Sequence, residues 1–102
     1  MRHLFLFLAF LLASACTVQS QNPVNWAQDV APILYAHCVK CHRDGGLGDF
    51  SLIGYDNAVS RRFAIQDATA TKRMPPWKPD PSYRRYAHEN RLTDTEIETI
   101  KN

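Results

Sequence analysis

His37-Cys38-Val39-Lys40-Cys41-His42-Arg43-Asp44 (HCVKCHRD, residues 37–44) sets two cysteines three positions apart, with a histidine directly after the second. Four chemistries use such a cluster: covalent haem attachment, a zinc site, a redox dithiol and a plain disulfide. Each makes demands on the rest of the chain. Upstream, "NWAQDVAPILYAHC" (25–38) has helical spacing, so Trp26, Val30, Ile33, Leu34 and Cys38 can share one face. Pro32 is tolerated only within a first helical turn. Asp29 is therefore the expected N-cap of a helix from about Val30 to Val39, and a kinked helix starting near Trp26 is the alternative. Either way, the two cysteines lie at the end of a helix.

That placement separates the four chemistries. A zinc site needs four ligands, and Cys38, Cys41 and His42 leave the fourth to His37 or His88. His37 adjoins Cys38, and His88 has no partner at i+3 to i+5. A reactive dithiol opens a helix, where the N-terminus lowers the thiol pKa; here the pair closes one and meets the opposite dipole. A disulfide leaves the adjacent histidine unexplained. Haem uses all three residues. Cys38 and Cys41 add to the vinyl groups as thioethers, and the His42 imidazole faces the iron as its proximal ligand.

The first residues agree with a cofactor attached outside the cytosol. Arg2 and His3 make a short basic start, Leu4 to Leu12 are nine continuous apolar residues, and Ala13-Ser14-Ala15 is small. This is the layout of a secretory signal peptide over 1–15, too short for the roughly 20 residues of a membrane-spanning helix. Cleavage falls just before Cys16. Leu12-Ala13-Ser14-Ala15-Cys16 also has the form of a loose lipobox, in which Cys16 becomes a lipid anchor, and the polar stretch after it reads as a tether over 16–24. The expected location is periplasmic or membrane-anchored. Loss of Arg2 leaves 11 basic against 10 acidic side chains, a balance that argues against nucleic acid as the main partner. With about 87 residues left, a staple or cofactor would add much to a small core.

Past the motif, "RDGGLGDF" (43–50) holds Gly45, Gly46 and Gly48 and reads as a tight loop. It lacks the Lys-Ser/Thr ending and preceding strand of a phosphate loop. Phe50 to Gly54 reads as irregular chain over a core. Asp56 is the expected cap of a helix to about Ala70, burying Val59, Phe63 and Ile65. "MPPWKPDP" (74–81) has four prolines in eight residues and is an extended or turning loop. Thr93-Asp94-Thr95-Glu96 forms a capping box before Ile97 and Ile100, and this last helix is expected to be truncated at Asn102. No strand pair is visible, so the expected class is all-α, one domain over 25–102.

The sixth iron position has two candidates. Met74, 32 residues after His42, is the only methionine beyond the leader and sits in the stiff proline loop. His88 is the rival and would give a bis-His site. Trp77 could pack on the haem or donate to a propionate, and Arg73 and Lys78 flank the same loop as propionate partners. Eight basic residues between Arg61 and Arg91, against Asp67, Asp80 and Glu89, make a solvated face that could dock an acidic redox partner.

With the helix before Cys38-x-x-Cys41-His42, the Met-Pro loop and the capped final helix, the chain resembles the mono-haem class I cytochrome c fold. More narrowly, "APILYAHCVKCHR" (31–43), "GDFSLIGYDNA" (48–58) and "KRMPPWKPDPSYRRYAHENRLTDTEI" (72–97) are similar to cytochrome c-like domains of exported bacterial proteins. Such domains often precede copper-dependent ascorbate-type monooxygenase or redoxin modules. The resemblance spans roughly 24–102. It implies a helical domain wrapped on one covalent haem c, with Cys38 and Cys41 as attachment sites, His42 as proximal ligand and Met74 as distal ligand. It also implies single-electron exchange with a redox partner or a downstream fused module. The departure is at the C-terminus, where the family's final helix continues.

Two other functions compete with electron transfer. One is a haem sensor or peroxidase-like site with an open or displaceable sixth position. The other is a cysteine-stapled lipoprotein module without haem. No paired carboxylates or Ser/His arrangement suggests a catalyst.

Overall fold

The computed structural model describes residues 22–102. The leader 1–15, Cys16 and most of the tether lie outside the described residues. Within them the regular structure is entirely helical, with no strand, which agrees with the all-α class. No helix among them is long and apolar enough to cross a membrane.

The first helical segment starts earlier than Pro32 suggests. Asn25 is extended (φ −108°, ψ 133°), and its Oδ1 accepts from the backbone N–H of Ala27 (2.9 Å) and Gln28 (3.2 Å). Asp29, expected as the cap, instead accepts the Asn25 N–H on Oδ2 at 2.7 Å and closes the cap from inside. Trp26–Val30 is a π-helical turn that leads without a break into α1, Ala31–His37. The wider turn just before Pro32 makes room for a residue that lacks an N–H and crowds the preceding turn. α1 also stops two residues short of expectation. The Leu34 carbonyl accepts from both Cys38 (2.8 Å) and Val39 (3.0 Å), which ends the α ladder.

The helix expected from Asp56 to Ala70 is two helices. α2 (Tyr55–Ser60) is preceded by Gly54 at φ 85°, a conformation glycine adopts without penalty, so Gly54 and not Asp56 occupies the cap position. The Gly54 N–H donates to the Tyr35 hydroxyl at 3.2 Å and fixes α2 to α1. Arg61 (φ −116°, ψ 12°) breaks the chain before α3, Arg62–Ala70. Ala58 and Thr69 face inward, Val59 and Ile65 are half-buried, and Phe63 is 69% exposed with the Arg62 guanidinium 4.2 Å from its ring centroid. At 100° per residue Phe63 lies about 140° around from Ala58, away from the face shared by Ile65 and Thr69. Thr69 is buried, and its hydroxyl donates to the Ile65 carbonyl at 2.8 Å.

α4 (Asp94–Lys101) opens on the expected capping box. Thr93 Oγ1 accepts from the Glu96 N–H (3.2 Å), and Glu96 Oε2 accepts from the Thr93 N–H (2.7 Å). Gln66 Nε2 donates to the Lys101 carbonyl at 2.9 Å and ties α4 to α3. The helices enclose a core of Ile33, Leu34, Ala58, Leu92 and Ile100. Against it pack Trp26, Val30, Cys38, Ile65 and Ile97. All five residues assigned to one face of the first segment are thus in this core, and the α4 spacing holds as well.

Candidate functional site

α1 delivers Cys38 to the point where helix gives way to loop. The next turn is held by the Cys38 carbonyl, which accepts from Cys41 (3.1 Å) and His42 (2.9 Å). This one turn brings Cys38 and His42, four residues apart, to the same side. Both lie in the wall of a cavity of about 570 Å³, together with Cys41. That volume is in the range of small-molecule and cofactor sites. The rest of the wall is largely apolar, including Leu47, Phe50, Leu52, Ile65 and Pro75.

The loop after the motif is folded back onto it. Gly48 N–H donates to the Cys41 carbonyl (2.9 Å) and Leu52 N–H to the His42 carbonyl (2.9 Å). A Cβ on Gly48 would press into His42 Nδ1, and one on Gly46 into the Cys41 carbonyl oxygen. Close approach therefore dictates both residues; among the three loop glycines, only Gly45 has positive φ, at 70°.

His42 is held on two sides by Phe50. Its Nδ1 lies 3.3 Å from the Phe50 carbonyl oxygen, and the Phe50 ring stacks on the imidazole at 4.4 Å between centroids. A carbonyl at Nδ1 fixes the proton there and leaves the Nε2 lone pair for a metal. Phe50 and Gly48 carry no motif signature. The nearest sequence signal is a glycine two residues before an aromatic, directly after the cysteine motif.

The Cys38 thiol is partly buried, and its pKa is pushed up to about 11 by burial and by the neighbouring Cys41. Such a thiol is protonated at neutral pH, the opposite of a poised redox dithiol. Among the described residues no three His, Cys, Asp or Glu side chains gather as a metal-ion cluster, so the second ligand pair that zinc requires is not assembled there.

Met74 reaches the same cavity from the other end of the chain. α3 ends at Ala70, and Lys72 adopts a left-handed conformation (φ 56°) that reverses the backbone. Met74 N–H then donates to the Ala68 carbonyl at 2.9 Å, which pins the methionine backbone to the last turn of α3. Its side of the cavity is completed by Pro75 and Pro76.

The remaining sequence candidates are placed variously. Arg73 is in the cavity wall, with its Nη2 on Asp67 Oδ2 at 2.9 Å. Trp77 is half-buried outside that wall, edge-on to Tyr86 at 6.4 Å. Lys78 is exposed and also outside the wall. His88 is exposed, with φ 58°, and does not line the cavity. His37 does line it, but both ring nitrogens face other partners: Nδ1 is 3.2 Å from Asn90 Oδ1, and Nε2 is 3.3 Å from Glu96 Oε1. Asn90 Nδ2 also donates to the His37 carbonyl at 3.4 Å, so this histidine ties the end of α1 to the segment before α4.

Two thiols, an imidazole with a free Nε2 and a thioether thus converge on one apolar space. They fit a haem attached through Cys38 and Cys41, with His42 and Met74 as the residues available to the iron. No family model matches the chain, and neither a curated protein nor a solved structure matches it.

Proposed function

We propose that this chain carries an exported c-type cytochrome domain that transfers single electrons through one covalent haem held between His42 and Met74. The observation that carries this is the shared cavity: Met74, 32 residues beyond His42, lines the same apolar space as Cys38, Cys41 and His42. Bound there, the haem supplies a one-electron iron couple. Cys38 and Cys41 tether it as thioethers. Phe50 holds the His42 ring by its carbonyl, and Leu52 and Ile65 give the site an apolar wall. With His42 tied to Phe50 and the Met74 backbone tied to Ala68, the residues that would hold the iron would have little to rearrange when its charge changes. The domain is then a carrier serving a redox partner protein or a fused module. Export places it in the periplasm or on a membrane through Cys16.

The test is a pyridine haemochrome assay on protein produced with the haem-attachment machinery. One covalent haem per chain is expected, with a low-spin ferric spectrum that Met74→Ala abolishes. No covalent haem would sink the proposal. A second reading, a sensor or peroxidase-like site, draws on the 39% exposure of Met74. High-spin haem that takes up carbon monoxide in the unmutated protein would favour it.

A further inference from the structure

Two arginines line the cavity, and they differ in charge environment. The Arg73 guanidinium is neutralised by Asp67 at 2.9 Å. Arg61 has no ion-pair partner among the described residues. Its guanidinium carbon lies 4.0 Å from the centroid of the Phe50 ring. That ring also stacks on His42 at 4.4 Å. Two groups this close to one centroid cannot share a face, so Phe50 is sandwiched between the cation and the imidazole. The geometry is that of a cation–π contact passed on to a stacked pair. The backbone holds Arg61 in place, because it links α2 to α3 and its N–H donates to the Ala58 carbonyl at 3.1 Å.

We propose that Arg61 sets the reduction potential of the iron from the His42 side, acting through the Phe50 ring as a positioning residue. This rests on the haem assignment above. Reduction removes one positive charge from the iron centre, so a fixed cation one aromatic ring from the proximal imidazole favours the reduced state. Phe50 contributes in two ways. Its carbonyl orients the imidazole, and its ring both spaces the guanidinium from the iron and excludes water between them.

The experiment is a redox titration of haem-loaded wild type, Arg61→Gln and Arg61→Lys against a mediator of fixed potential, at low and at about 1 M salt. Equal haemochrome yield in the three proteins establishes equal loading. Arg61→Gln is expected to move the electron-exchange equilibrium toward the oxidised protein by about three- to tenfold at low salt, tenfold being about 59 mV. High salt should shrink the difference, and Arg61→Lys, which keeps the charge, should stay near wild type. Asp49, also in the cavity wall, is present in all three and cancels from the comparison. An Arg61→Gln potential equal to wild type at low salt overturns the proposal. So does an Arg61→Lys shift as large as that of Arg61→Gln, because packing and not charge would then be responsible. Wild type without covalent haem would overturn both this proposal and the function it rests on.

Discussion

The two sides of α1 are built to different standards of completeness. On one side Ile33 and Leu34 meet Ala58, Leu92 and Ile100, and Leu34 is only 1% exposed. Protein fills most of that space and leaves beside Leu34, Ala58 and Ile100 a smaller hollow of about 280 Å³. On the other side Phe50, Leu52, Ile65 and Met74 surround about 570 Å³ and do not meet across it. Protein interiors are close-packed, and under the proposed function a bound haem would complete the packing of this apolar cavity. Cys38 belongs to both sides, packed against the core cluster and lining the cavity. A thioether at that sulfur would join the two halves covalently, which suits a domain too small to carry two full cores.

The sharpest break of this contrast is the Cys38→Ser/Cys41→Ser double variant. It should lose all covalent haem in the haemochrome assay while α1, α3 and α4 still pack on Leu34, and amide hydrogen exchange should show protection falling on the 46–54 loop first. Next in size is Leu34→Ala, expected to cost about 2–5 kcal/mol in urea unfolding. It should cost the haem-loaded and haem-free proteins the same, since its neighbours lie on the filled side. Gly48→Ala tests the open side. Its methyl must displace the His42 ring, with an overpacking cost of about 1–3 kcal/mol and an altered ferric spectrum in the loaded protein. The smallest effect is expected at the α4 cap, where Thr93→Ala should cost about 1 kcal/mol.

The same cap has a defined acid response. Burial pushes the Glu96 carboxyl up, but the Thr93 N–H and hydroxyl and the nearby His37 outweigh it and hold the group below the ordinary value of 4.5. A depressed carboxyl contributes its stability in full above the unfolded value, near pH 4.5, and loses it as pH falls through the lower folded value. Glu96→Gln should therefore flatten the acid limb of a stability–pH curve below about pH 4.5.

Much of this could be read from the chain before folding, and for local reasons. The cysteine motif at the end of a helix, the Thr93–Glu96 box and the inward face of Trp26 to Cys38 all depend on spacings of three or four residues. Met74 stood out because it is the sole methionine after Met1 and sits in a stiff loop. The errors share a cause too. Pro32 was weighed by α-helical geometry, whereas a π turn accommodates it and hands the cap to Asn25. Phe63 was placed inside by grouping it with Val59 four residues earlier, whereas the buried face runs through Ala58, Ile65 and Thr69 and leaves Phe63 outside. The partners of His37, Asn90 and Glu96, lie more than 50 positions away. Contacts at that separation leave no periodic trace. The Arg61–Phe50–His42 stack was hidden for the same reason.

α3 has a consequence that no single contact on it reveals. Arg61, at its entrance, reaches the Phe50 ring behind His42, while the Ala68 carbonyl near its exit holds the Met74 backbone. The helix therefore acts as a caliper, the step from Arg61 to Ala68 setting a jaw opening of about 10 Å at 1.5 Å per residue. Adding or deleting one residue would slide one jaw by a rise step and swing it about 100° around the helix axis, so both ends of the site would fall out of alignment together. α3 should accept substitutions on its outer face but not a change in length. The proline-rich run from Lys78 to Arg84, which spans no such gauge, is where the chain can grow or shrink.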